Sequence, residues 1–378
     1  MLYNFLLIWT LMVSALSMPG NAVVAAEVKL SQVANQNFIP VDGANLKAKM
    51  DAAIRLGRAN ARGGRYWVGY EFNPKPGTMI GRNYRKGEKW EAKEKEPQNV
   101  GIFLLREANS DALVKLELKN LNEQNDFNGA PVYWLGKAAN DESLSLLQQL
   151  MNEQPEGKIA EQAVLGIALH NDSRVGQILE SVVNQSKAEN LRKTAVFWLG
   201  QTEGETGFLG NLIGNEQESV EIRKQAAFAI GVSKDPAALT ALQNMYAQVK
   251  QIEVKKQIIF AHFVNANSDT ATDFLIRVAG SDTDREVRKQ AIFWLGQKAG
   301  QRAAEVLDNT IEQNDGDTEI QKEAVFAVSR RKKDEAVPML IKIAKTHPKA
   351  EVRKQALFWL GQVDDERALE VFKEILSK

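Results

Sequence analysis

Five basic pairs recur along the chain, the first four at steps of 31 to 33 residues and the last after 65: Arg192-Lys193, Arg223-Lys224, Lys255-Lys256, Arg288-Lys289 and Arg353-Lys354. A column of cations at such spacing has the charge to grip phosphates or an acidic partner. Each lies near acid, however. Glu221, Glu253, Glu286, Glu319 and Glu351 sit two residues before the basic position or its equivalent, and acidic turns separate the segments. Pairing between neighbouring segments is therefore the expected use of the cations. A second row is aromatic: Tyr133, Phe197, Phe228, Phe260, Phe293, Phe326 and Phe358, beside Trp134, Trp198, Trp294 and Trp359. Such a row can stack a sugar, a peptide or another flat ligand. It also shares a helical stripe with Val, Ala and Leu, so Trp294 and Trp359 are expected to be structural. The three histidines, His170, His262 and His347, form no motif. HExxH, GxSxG and GxxxxGK[ST] are absent, as is zinc-ligand spacing. With no cysteine in the chain, thiolate chemistry and disulfides are excluded.

These rows belong to a repeated sentence. Val287–Gln297 reads VRKQAIFWLGQ, Val352–Gln362 reads VRKQALFWLGQ and Leu191–Gln201 reads LRKTAVFWLGQ. Weaker copies begin at Ile159, Ile222, Val254 and Ile320, and a shortened one ends Tyr133-Trp134-Leu135-Gly136. The Trp position falls at Trp134, Gly166, Trp198, Ala229, Ala261, Trp294, Ala327 and Trp359, in steps of 31 to 33 residues. A fixed period of this length predicts a solenoid, in which each unit covers the apolar face of its neighbour. Counting from zero at Val287, offsets 0, 4, 7 and 8 form one helical stripe, and the Gly at offset 9 ends the helix. A second helix follows, often opened by an acid such as Asp141, Asp172, Asp235, Asp334 or Asp364. Eight such pairs fit between Phe127 and Lys378.

The pattern V-R-x-x-A-x-x-A/W-L-G, a short acidic turn and A-[LV]-x-x-L resembles a HEAT repeat of the short bacterial kind, similar to those of phycobiliprotein lyases. The resemblance covers about two thirds of the chain and implies an all-α, right-handed α-α superhelix. It also raises a lyase-like role, holding a prosthetic group on a client protein. The His-Glu pairs of a di-iron HEAT hydroxylase are absent. In HEAT arrays the second helices line the concave side. There a polar column, Gln149, Ser181, Asn211, Asn244, Arg277, Asn309, Lys342 and Glu374, lies two residues beyond each central apolar position. Core packing does not require that mixture, which makes the column the candidate binding face.

The 378 residues carry 48 basic and 48 acidic side chains, a balance that argues against a general nucleic-acid or anionic-membrane binder. Residues 1–25 have the layout of a secretory signal peptide: an apolar run over Phe5–Leu16, then Pro19-Gly20 and small residues to Ala26. Residues 26–125 form a small α+β module. It holds a helix over Asn45–Ala61, a strand over Arg65–Phe72 and a hairpin of Val100–Arg106 with Ala112–Lys119. The simplest task for this module is to cap the array over 126–378. Its aromatics, Tyr66, Trp67, Tyr70, Tyr84 and Trp90, offer an alternative carbohydrate or cell-wall surface. The expectation is thus an exported, monomeric scaffold, periplasmic or extracellular, that binds a protein partner. It is expected to be no enzyme, to need no cofactor or metal, and to keep no membrane association after its leader is removed.

Overall fold

The computed structural model describes residues 37–61, 64–80, 99–265, 269–298, 300–313 and 317–377. The leader lies outside them, as do Tyr84 and Trp90. The chain divides into two compact units, Met1–Ile178 and Leu179–Lys378.

The first unit is built on a five-stranded sheet. Its strands are β1 (Ile39–Pro40), β2 (Arg65–Phe72), β3 (Val100–Glu107), β4 (Leu113–Asn120) and β5 (Val132–Lys137), in the order β1-β5-β2-β3-β4. β2, β3 and β4 pair antiparallel, while β5 runs parallel to both β1 and β2. Both faces of β2 are covered, so RYWVGYEF is buried almost throughout instead of alternating. One face holds a cluster of Trp67, Phe103, Leu121, Phe127 and Val132. Helix α1 (Leu46–Asn60) packs on β2 and β5. Its first turn is closed by Asn45, which accepts from the Ala48 amide at 2.8 Å, and by Glu142, which accepts from Leu46 at 3.0 Å.

The shortened copy ending Tyr133-Trp134-Leu135-Gly136 is strand β5, not a helix. The turns that would begin such a helix are missing. Asn128 and Gly129 take positive φ, 53° and 72°, and Pro131 follows them. The β-prone run Val132-Tyr133-Trp134 then completes the open edge of β2. Strand structure thus continues past residue 125, and seven helix pairs, not eight, follow a single helix, α2 (Asn140–Glu153).

The pairs are α3 (Lys158–Leu169) with α4 (Val175–Gln185), α5 (Glu189–Leu199) with α6 (Thr206–Gly214), α7 (Val220–Gly231) with α8 (Ala238–Gln248), and α9 (Ile252–Val264) with α10 (Asp269–Ser281). Then come α11 (Arg285–Gln297) with α12 (Gln301–Glu312), α13 (Thr318–Ser329) with α14 (Lys333–Thr346), and α15 (Ala350–Leu360) with α16 (Glu366–Leu376). In the second unit the first helices stack in series: α5 on α7, α7 on α9, α9 on α11, α11 on α13 and α13 on α15. Offsets 0, 4 and 8 are buried in every first helix of this unit, as with Val287, Ala291 and Leu295.

Offsets 7 and 9 explain one another. An added Cβ on Gly200 would stand 2.5 Å from the Ala229 carbonyl oxygen, one on Gly231 2.7 Å from the Ala261 Cβ, and one on Gly296 2.6 Å from the Ala327 oxygen. Each such Gly therefore faces an Ala at offset 7 of the next copy. Where offset 9 is Phe263 or Ser329, the next copy carries Trp294 or Trp359. The alternation of Ala and Trp, unexplained from the sequence, follows from how closely successive first helices approach.

Candidate functional site

The basic row is consumed within the second unit. Arg192 donates to the Val183 carbonyl (2.6 Å) near the end of α4 and to Glu218 (2.5 Å) before α7. Buried Arg223 donates to Ile213 O (2.8 Å), and Arg353 to His347 O (2.7 Å). Lys255 pairs with Asp282 (3.0 Å) and Arg288 with Asp317 (3.8 Å). Gln321, which replaces the base in a weaker copy, donates to Ile311 O (2.9 Å) and Gln313 O (2.6 Å). The shared task is to satisfy the end of the preceding second helix or the acid entering the next unit. The following lysines pair with their own helix: Lys224 with Glu221, Lys256 with Glu253, Lys289 with Glu286 and Lys322 with Glu319. The expected pairing with acid of the next segment is thus made by Arg192, Lys255 and Arg288, while Arg223 and Arg353 bond backbone carbonyls and these lysines bond their own helix.

In the second unit the aromatic row is half-buried up to Phe358, while Tyr133 in the first unit is fully buried. Phe197, Phe228 and Phe260 stack in series at 6.4 and 6.1 Å. The series continues through Trp294 (4.9 Å), Phe293 (4.8 Å), Phe326 (6.0 Å), Trp359 (5.0 Å) and Phe358 (5.0 Å). Phe263, outside the row, also stacks on Trp294 at 4.4 Å, and Phe358 at the end is 56% exposed.

Of the five aromatics named as a carbohydrate surface, the three that lie among the described residues do not form one. Tyr66 and Tyr70 are fully buried and Trp67 is 4% exposed, because both faces of β2 are covered.

Sequence reasoning missed one constellation. His170 lies at the end of α3, stacked on Phe72 at 4.2 Å, with Nε2 2.8 Å from Ser143 Oγ; Ser143 is 3.1 Å from the Tyr70 hydroxyl. A serine–histidine pair at this distance has the geometry of a nucleophile and its base. Tyr70, Ser143 and His170 are all fully buried, so the pair is closed off from solvent in this structure. Burial holds the His170 ring down to about 4, against weaker opposing effects of its bond to Gly166 and of Asp172. His262 is likewise fully buried. It stacks on Phe274 at 3.7 Å, and burial, aided by Arg277 and Lys298, lowers it to about 4. His347 bridges to Ile311 O at 2.8 Å. Among the described residues no group of three His, Asp or Glu is placed to hold a metal.

The polar column behaves differently. Gln149 is exposed on α2 in the first unit. In the second, Ser181 is half-buried, while Asn211, Asn244, Arg277, Asn309, Lys342 and Glu374 are exposed. The column changes character along its length. Helices α6 and α8 carry no charged residue. From α10 onward the second helices are charged and linked by ion pairs: Arg302 with Asp273, Lys342 with Asp308 (3.2 Å) and Glu312, and Lys345 with Glu374 (2.6 Å). Arg277 lies over the Phe274 ring at 5.5 Å.

Two-helix units stacked first helix on first helix define an α-solenoid. A family model of HEAT repeats matches the last part of this array, residues 310–378. A comparison with curated proteins finds no match. Among solved structures, the complex of CpcE and CpcF of phycocyanin lyase from Nostoc sp. PCC7120 is 16% identical, covering 68% of this chain and 98% of that one, with a TM-score of 0.31. Human deoxyhypusine hydroxylase in complex with glycerol is 15% identical, covering 61% of this chain and 90% of that one, with a TM-score of 0.28. Both are structures of enzymes. The expectation that this chain is no enzyme is corrected accordingly: a HEAT array is no ground for excluding catalysis.

Proposed function

We propose that the second-helix face of the second unit binds another protein. The supporting observation is the column itself. Six of its seven members in this unit are exposed on the faces that packing leaves open, while the basic and aromatic rows are occupied by their own neighbours. HEAT repeats are scaffolds for such contacts, and an array spreads a binding line over many units. Binding energy concentrates in a few central residues, with Arg favoured. Arg277 is held over Phe274 and is thus partly preorganised. Arg277→Ala is expected to weaken affinity for the partner by about 1–2 kcal/mol with little change in melting. The assay is titration of a partner recovered from the native host by pull-down and then purified. Unchanged affinity after replacing Arg277, Asn244 and Asn309 together sinks this reading.

Export belongs to the same proposal, and its support is the apolar run and small-residue site in residues 1–26. N-terminal sequencing of the exported chain is expected to start near Ala26 or Glu27. Recovery of full-length chain in the membrane fraction alone contradicts export by cleavage.

A further inference from the structure

The direction of the buried hydrogen-bond chain in the first unit is fixed by a single carbonyl. Nδ1 of His170 lies 2.6 Å from the Gly166 oxygen, which only accepts, so Nδ1 carries the proton. Nε2 of the neutral ring is then an acceptor. The Ser143 hydroxyl donates to it at 2.8 Å, and the Tyr70 hydroxyl donates to Ser143 at 3.1 Å. The three residues come from β2, from α2 and from the end of α3. Backbone contacts follow the same seam: Lys75 N donates to Leu169 O at 2.8 Å, Asn171 N to Asn73 O at 2.9 Å, and Pro74 bridges His170.

We infer that this chain is an acid-released clasp, which ties β2 to α2 and α3 while the His170 ring is neutral and lets them part when Nε2 takes a proton. A proton on Nε2 turns that atom from acceptor to donor. Ser143 must then accept from it and point its own hydrogen at Tyr70. The Tyr70 hydrogen is left without an acceptor in a fully buried position, and a cation is left in the same place. Little nearby offsets this. The charged groups nearest in sequence to the three residues are Glu71 on β2, Lys75 beyond it, Asp141 and Glu142 at the start of α2, and Asp172 with Arg174 after α3; the same elements carry Arg65, Glu153, Lys158 and Glu161 farther along. Glu142 already accepts from the Leu46 amide, and Glu71 faces Lys137. Asp172 favours the charged ring but is already engaged by Arg174 at 2.7 Å and Asn140 at 3.1 Å. The ring of Phe72 is the one face that welcomes a cation, and it does not restore the lost hydrogen bonds.

The test uses the whole chain carrying His262→Leu, so that the other deeply buried ring makes no contribution. Long-range proton–nitrogen NMR of His170 should show a proton on Nδ1 alone at pH 7 and still at pH 5.5, where an unperturbed ring is roughly 90% charged. Amide exchange followed during acidification should then show β2 and residues 166–171 losing protection together as the ring protonates. His170→Asn keeps a donor near Gly166 without a titrating group, so protection of β2 should survive to a pH about one unit lower. Three results overturn the clasp: a proton on Nε2 at pH 7, a ring that titrates near its ordinary value with β2 still protected, or equal acid loss in the Asn variant. If that variant fails to fold at pH 7, the tautomer and titration of the parent decide the matter.

Discussion

Gly231→Ala should destabilise the second unit by about 3 kcal/mol, near the upper end of overpacking costs. Helix propensity alone argues for the opposite sign, since Ala in place of a helical Gly usually gains about 1 kcal/mol. Packing decides the outcome. The new methyl would stand 2.7 Å from the Ala261 Cβ and 2.8 Å from its Cα and its oxygen, two of which are backbone atoms that no rotamer change can move. Relief requires separating α7 from α9, which exposes Ile222, Ala226, Ile230, Val254 and Ile258, all fully buried now. Adding Ala261→Gly removes one of the three close contacts, so rescue should be incomplete. Urea unfolding of the three variants is the measurement. A Gly231→Ala chain as stable as the parent means the two helices do not approach this closely.

The second large effect has a sign that depends on pH. Every other copy carries Leu, Ile or Val where α9 has His262. The ring donates from Nδ1 to Ile258 O at 2.9 Å, and its buried Nε2 has no partner. At pH 7, His262→Leu should gain about 1 kcal/mol by removing an unsatisfied buried nitrogen. The folded ring titrates near 4, below the roughly 6.5 of an unfolded histidine. The unfolded chain therefore takes up the proton first, and the parent loses stability as pH falls from about 6.5 toward 4. At pH 5 the advantage of the Leu variant should have grown by about 2 kcal/mol. His170 contributes equally to parent and variant and cancels in the difference. Denaturant unfolding at both pH values checks this, and a gain that does not change with pH contradicts a buried neutral ring.

The helices were readable because Val, Ala and Leu recur at offsets 0, 4 and 8, a purely local signal. β2, β3 and β4 were readable for the same reason, from short β-prone runs between turn residues. β5 reads as a helix end from sequence because Tyr133-Trp134-Leu135-Gly136 matches the end of the repeat in all but its first residue, Tyr for Phe. What decides its state is the open edge of β2, more than sixty residues away in sequence. The clasp was invisible on the same ground: Ser143 lies 73 residues from Tyr70 and 27 from His170, with no spacing to connect them. The polar column was legible as a helical face. The change from uncharged α6 and α8 to the ion-paired helices after them gained meaning only once the partners were seen across helices.

The matching of offset 9 to the following offset 7 sorts the units by the kinds of end they can join. A unit ending in Gly accepts a successor that opens with Ala, and one ending in a larger residue is followed by Trp. Residues 222–253 open with Ala229 and close with Gly231, so a tandem duplicate satisfies both of its junctions. Residues 287–319 open with Trp294 and close with Gly296, so a duplicate would set an indole against a glycine seat that admits only a methyl. The array can therefore lengthen by copying some of its units and not others. A residue change at one end of a unit carries a matching requirement to the next unit along.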